Sequence, residues 1–333
     1  MKFEKREQQV LEEKIHNGEV EEALAITNES ILSIIDKATM LGLRAFKIRA
    51  INFGFLADEF SSDLADAVIG IIFTNEEETD ITIIIPSVLD YCNAYTNNIR
   101  IMLRKLEIYT SKNNGNNIKV IGGTFRNISY LFEGLQTKTL DLTEFNFSNV
   151  EKMDSTFEGL QAEELLLPSI KHNKLISMKS CFEYTYICSI NKIDINTSNV
   201  KDMSKAFDHF TCQGTNVIEL NLESVRNIEM MFAGSVISGK LDLTKTHIPN
   251  RVTNCKLGTI FLHCIILVDS MIIVNIDTYR KIESLDIFDT IIADNIVDYD
   301  IGAFVDEENG IVTIKPTIKA IDYKEDILYD MPF

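Results

Sequence analysis

The sequence predicts an α/β fold, a repeat solenoid of parallel strands and short helices behind a mostly helical N-terminal domain. Three observations carry the solenoid. Phe132, Phe157, Phe182, Phe207 and Phe232 recur every 25 residues without insertion or deletion. Two further apolar columns travel with them. Four residues before each Phe stand Ile128, Met153, Met178, Met203 and Ile228, and seven before stand Phe125, Val150, Leu175, Val200 and Val225. Each Phe is followed by an alternating run: "TLDLTEF" (139–145), "ELLLPSI" (164–170), "NKIDINT" (191–197), "VIELNLE" (217–223) and "GKLDLTK" (239–245). Apolar residues at i, i+3 and i+7 share one helix face, so the columns predict a helix of about two turns per copy. Alternation predicts a strand. A helix that short is not stable alone, and stacking the copies buries all the faces in one continuous core.

Residues 1–112 fall outside the period and read as a separate, mostly helical domain. "FEKREQQVLEEKIHNG" is expected to be a charged helix ending at Gly18, and "EVEEALAITNESILSIIDKATMLG" one or two more. "DITIIIPSV" (80–88) reads as a buried strand, and "NNIRIMLRKLEIYTSK" as helix or strand. The Asn/Gly turn "SKNNGNNIK" (111–119) marks the boundary. The repeat region spans 113–250. The N-terminal domain is placed to cap its raw end. Residues 251–333 read as degenerate repeats running into an acidic C-terminal cap. In that cap Asn309-Gly310, between two alternating runs, signals a hairpin.

The copies resemble those of BspA-like leucine-rich repeat proteins, the lipoprotein-type repeats of mycoplasmas, over residues 120–250. The residues that carry the likeness are Leu140, Asp141, Leu142, Phe145, Ser148, Val150, Met153, Phe157 and Gly159 in one copy. In another they are Thr197, Ser198, Val200, Asp202, Met203, Ser204 and Phe207. The resemblance implies a leucine-rich-repeat-like solenoid and a protein-binding role. This chain departs from the family's glycine column, which keeps Gly134, Gly159 and Gly234 but has Tyr184 and His209 between them.

The net charge of −18 is unevenly spread. Residues 1–110 carry −8, residues 111–268 are neutral, and residues 269–333 carry −10. Acidic ends repel phosphate backbones and anionic membranes, so direct nucleic-acid or membrane binding is not expected. "MKFEKREQQVLEEK" has no apolar core of a secretory signal, and no apolar run reaches 18 residues. A cytoplasmic location, or incorporation in a virion, is the expectation. The six cysteines form no CxxC pair and are expected to be reduced and buried.

No catalytic motif is present: no GxSxG, P-loop or HExxH. His209 and Cys212 lie near each other in sequence, a residue pairing that nucleophilic catalysis can use, but a loop coincidence is the expectation. Cys255, His263 and Cys264 fit no zinc spacing. Neither a metal nor another cofactor is expected, and no small-molecule ligand.

The expected function is therefore a non-enzymatic protein-interaction module. Its binding face is drawn from polar residues alternating with the apolar strand positions: Asp141, Thr143, Asp194, Glu219, Asn221, Asp242 and Thr244. Their acidity favours a partner with a basic surface. Two alternatives stand beside it. One is a structural subunit of a larger assembly such as a phage particle. The other is an acidic intracellular inhibitor, phage-encoded, that occupies a nucleic-acid-binding protein.

Overall fold

The computed structural model describes residues 44–49, 68–74, 80–85, 116–122, 125–190, 193–212, 216–218, 220–244, 246, 260–267, 269–283, 291–293 and 299–318. Three strands precede the repeat: β1 (Arg44–Arg49), β2 (Val68–Thr74) and β3 (Asp80–Ile85). The repeat supplies β4 (Asn117–Gly122), β5 (Gln136–Asp141), β6 (Gln161–Leu166), β7 (Tyr186–Ile190), β8 (Thr211–Cys212), β9 (Asn216–Val217), β10 (Val236–Ile237) and β11 (Lys240–Leu243). Beyond it lie β12 (Cys264–Ile266), β13 (Met271–Asn275), helix α1 (Ile276–Glu283), β14 (Ile291–Ala293), β15 (Tyr299–Asp306) and β16 (Ile311–Ile318).

The strands form two sheets. The larger runs β1-β2-β3-β4-β5-β6-β7-β8-β10-β12-β14, and the smaller β15-β16-β13-β11-β9. From β3 to β14 every pairing in the larger sheet is parallel. The repeat sets the register. Gln136 faces Gln161, Gln161 faces Tyr186, Tyr186 faces Thr211, and Thr211 faces Val236, each step one copy along the chain. One copy is therefore one coil of a solenoid, and residues one period apart are spatial neighbours.

Each coil's predicted helix is a pair of tight turns instead. Tyr130, Ser155, Ser180, Lys205 and Met230, which fall between the Met and Phe columns, have φ between 52° and 64°. A left-handed L-residue cannot continue a right-handed helix. The amides then divide their bonds. In the second coil Met153, Ser155, Phe157 and Gly159 donate to the next coil, to the carbonyls of Ser177, Lys179, Cys181 and Glu183, at 2.8–3.0 Å. Thr156, Glu158 and Leu160 donate three residues back within their own coil. The backbone polar groups are satisfied between and within coils, with no helix needed. Among the described residues the one α-helix is α1.

The apolar columns line the core. The Ile128–Ile228 column is fully buried, and Val150, Leu175 and Val200 are as well. Phe132, Phe157, Phe182, Phe207 and Phe232 stack face on face, with centroids 4.9–5.5 Å apart and ring planes within 15° of parallel. A sixth ring, Phe261, extends the column at 5.4 Å from Phe232. The repeat thus continues past residue 250, after a coil enlarged by four residues. Short hydrogen bonds clip coil to coil beside the rings. The Thr185 hydroxyl donates to the Phe157 carbonyl at 2.6 Å, and Ser235 to that of Phe207 at 2.5 Å.

The strand expected at 80–88 is present as β3, whereas the rest of the described N-terminal segment is strand and not the expected helix. β1, β2 and β3 are strands in an antiparallel run, and β3 pairs in parallel with β4. They extend the solenoid sheet across residue 112, with strand pairing to cover the first coil's edge. The helices expected in 1–42, and the segment 97–112, lie outside the described residues. At the other end the β15–β16 hairpin turns at Asn309-Gly310, with Gly310 at φ 64°. β16 pairs antiparallel to β13 and ends the parallel order of the smaller sheet. No helix among the described residues is long and apolar enough to cross a membrane.

Candidate functional site

The residues expected to form one binding face lie in or just after the strands of successive coils. Asp141 ends β5 in the larger sheet, whereas Asp242 lies in β11 of the smaller one. Both are turn formers. The Thr143 amide and hydroxyl donate to Asp141 Oδ1 at 2.9 and 2.6 Å, and Thr244 does the same to Asp242 at 3.1 and 2.7 Å. Asp194 is buried, and accepts hydrogen bonds from Ser169 and Lys171 of the preceding coil at 2.6 and 2.5 Å. The Asn221 amide donates to the Thr197 hydroxyl, and its side chain caps Glu223. Glu219 lies outside the described residues. The structure brings Asp141 and Thr143 together, and Asp242 and Thr244 together, and the pairings Ile193↔Ile218 and Asp242↔Val217 carry the Asp194 coil in register to the Asp242 coil.

A second line of residues also aligns. Gly134, Gly159 and Tyr184 each donate an amide to the carbonyl of the acidic residue one coil on: Glu158, Glu183 and Asp208, at 2.7–2.8 Å. Glu133, Glu158, Glu183 and Asp208 therefore form a column at the corner where the turns lead into the larger sheet. Strand spacing puts successive members ~5 Å apart. At that spacing like charges repel, and the structure relieves the repulsion at one end. Lys205 Nζ reaches Glu183 Oε1 at 3.0 Å and Asp208 Oδ2 at 3.6 Å, and His209 Nδ1 lies 2.6 Å from Asp208 Oδ1. The bond to Glu183, reinforced by the charges of Glu183 and Asp208, raises Lys205 above the ordinary lysine range against the opposing effect of burial. Asp208 is nearly fully covered. Burial pushes its carboxyl up, and His209 and Lys205 pull it back only in part.

The aromatic residues gather at the same corner. Tyr184 and His209 occupy the column that holds Gly134, Gly159 and Gly234, and both take its left-handed backbone, at φ 54°. Their rings stack at 4.6 Å and 28°. The His209 ring in turn covers Gly234 closely: a Cβ there would meet its ring atoms at 2.6–2.8 Å. Tyr184 is 55% exposed, and Tyr186, two residues on at the start of β7, is 42% exposed. Cys212 faces inward and is buried while His209 is half exposed on Tyr184 and Asp208, so the structure sets the two on different sides of the coil wall. Cys264 is also buried, which pushes its thiol up to about 12. Among the described residues no group of three or more His, Cys, Asp or Glu side chains is placed to hold a metal ion.

The acidic column follows the Phe position of each copy and not the alternating strand positions. Its signal was present as the dipeptides Glu133-Gly134, Glu158-Gly159, Glu183-Tyr184 and Asp208-His209 at the repeat's own spacing.

Comparison with known families gives one match. A family described as "Mycoplasma protein of unknown function, DUF285" matches residues 126–244. That span begins at the first coil's turns and ends at β11, so it takes in the five regular coils and neither cap. No curated protein and no solved structure matches the chain.

Proposed function

We propose that the protein is a non-enzymatic interaction module of the BspA-like repeat type, which holds a basic protein partner against the acidic and aromatic corner of its solenoid. The single observation behind this reading is the half-buried Glu133–Glu158 end of the acidic column beside exposed Tyr184 and Tyr186, with Glu183 and Asp208 buried and paired to Lys205 at the other end. Exposed tyrosines on a rigid frame are favoured anchors of protein interfaces. A row of carboxylates steers positively charged partners and supplies charge complementarity. The net charge of −18 works in the same direction over longer range. On this reading the turn-forming Asp141, Thr143, Asp242 and Thr244 hold the scaffold, and the binding residues sit one face away.

The test compares two neutralised variants as baits in a lysate of the source organism. Glu133→Gln with Glu158→Gln removes corner charge, and Asp141→Asn with Asp242→Asn removes charge from the strands. The expected result is a stoichiometric basic protein that the first variant loses and the second retains. The reverse pattern would return the binding face to the strand residues. Retention by both would refute a charge-guided interface.

A further inference from the structure

We propose that the open face of Tyr184 receives an arginine side chain of the protein partner, held over the Gly159 ledge next to the Glu158 carboxylate. The inference rests on the basic-partner reading above and names what that partner must present.

A bulky residue at φ 54° is disfavoured where glycine is free to adopt that conformation, yet the chain places Tyr184 and His209 there on successive coils. The two rings are a fixed platform. His209 lies on Gly234, which has no side chain to displace it, and Tyr184 lies on His209. One face of the Tyr184 ring is thereby used. The other looks toward the preceding coil, where the column holds Gly159. A Cβ at Gly159 would meet only Gly134 backbone, at 3.6–3.8 Å, and a Cβ at Gly134 would meet nothing within 4 Å. The result is a notch with an aromatic wall and a bare backbone floor.

Charge decides what fits. One position before the ledge in the same coil stands Glu158, half-buried in the acidic column. Lys205, the corner's paired cation, belongs to the coil beyond Tyr184, where it is engaged with Glu183 and Asp208. The side of the ring facing Gly159 is thus its electronegative side. A cation over a tyrosine face is attracted by the ring's quadrupole. A flat guanidinium also lies parallel to the ring and offers donors at its edge to a carboxylate. A compact, strongly hydrated ammonium does neither as well.

The test uses fluorescein-labelled nona-arginine and nona-lysine, equal in charge, and reads anisotropy at ~0.15 M salt, where weak long-range attraction is screened. Nona-arginine is expected to bind the full chain about fivefold more tightly than nona-lysine, the scale of an exposed cation–π contact. Tyr184→Gly, which restores the repeat's own residue, and Tyr184→Asn, which tolerates the same backbone, are expected to abolish that preference. Tyr184→Phe is expected to keep it. Equal binding of the two peptides, or a preference that survives in Tyr184→Gly and Tyr184→Asn, would overturn the notch. If binding then fell in Glu133→Gln/Glu158→Gln, the basic-partner reading would still stand. No binding of either peptide at micromolar protein would overturn both.

Discussion

At the scale of single residues, stability is concentrated in the phenylalanine column. Phe182 is the best example, with Phe157 stacked at 4.9 Å on one side, Phe207 at 5.3 Å on the other and the edge of Phe210 at 6.0 Å. Truncation leaves a cavity between two fixed coils that cannot close on it, and also removes two stacked pairs. Phe182→Ala is expected to cost about 3–5 kcal/mol by urea denaturation. A loss under about 1 kcal/mol would mean the column is not close-packed. The turn aspartates make a second, pH-dependent contribution. Burial raises Asp141, but the Thr143 hydroxyl and amide and then Lys119 outweigh it, so its carboxyl sits below the usual range. Asp242 is lowered in the same way by Thr244 and Lys240. A depressed folded-state value stabilises above the unfolded value and is lost as pH falls through the folded one. The Tm deficit of Asp141→Asn/Asp242→Asn against the parent should therefore be full at pH 7. It should shrink as pH falls below about 4, the ordinary carboxylate value. A deficit unchanged at acid pH would show that the ionised carboxylates contribute nothing.

At the scale of elements, the paired turn replaces the helix, and its left-handed positions govern what each coil tolerates. Gly159 has room for a methyl group, so Gly159→Ala isolates the backbone cost of φ 67° from any clash. It is expected to lose about 1 kcal/mol. Tyr184→Gly is expected to fall within about 0.5 kcal/mol of the parent, because relief at φ 54° is offset by the lost His209 stack and by glycine's freedom in the unfolded chain. A large loss in Tyr184→Gly would mark the stack as structural. The turn also explains how far the sequence could be read. The columns through Met153 and Phe157 were legible because burial recurs with the period whatever the local backbone. Their four-residue spacing could not distinguish a helix from two successive turns, since both return a side chain to the same side. What separates them is the conformation of Ser155 and its equivalents, and serine, lysine and methionine at that column do not announce a left-handed residue. The strands were visible as alternation, but Leu140 of β5 and Leu241 of β11 sit in look-alike runs assigned to different sheets. A face assembled from their polar neighbours therefore draws on strands of both sheets.

At the scale of the whole molecule, the described coils pair each with the next along one axis, the arrangement of a quasi-one-dimensional solenoid. The bridges Lys152↔Ser177 and Ser177↔Asp202 keep constant register, so residue 178 stands to residue 177 as 153 does to 152. Deleting 153–177 joins 152 to 178 and leaves every column continuous. Phe132 then stacks on Phe182, and Gly134 precedes Tyr184. This shortened chain is expected to fold, with an unchanged far-UV spectrum per residue and one cooperative urea transition. Its m-value should be lower, in proportion to the surface of one lost coil. Deleting 153–164 removes half a coil and sets the turns of one coil against the strand of the next. It puts polar side chains into the apolar columns and is expected to abolish cooperative unfolding. The pair discriminates because a globular core with long-range contacts across the chain would reject both deletions. A loosely strung array would accept both. Folding of the full-coil deletion alone is the result that the observed register requires.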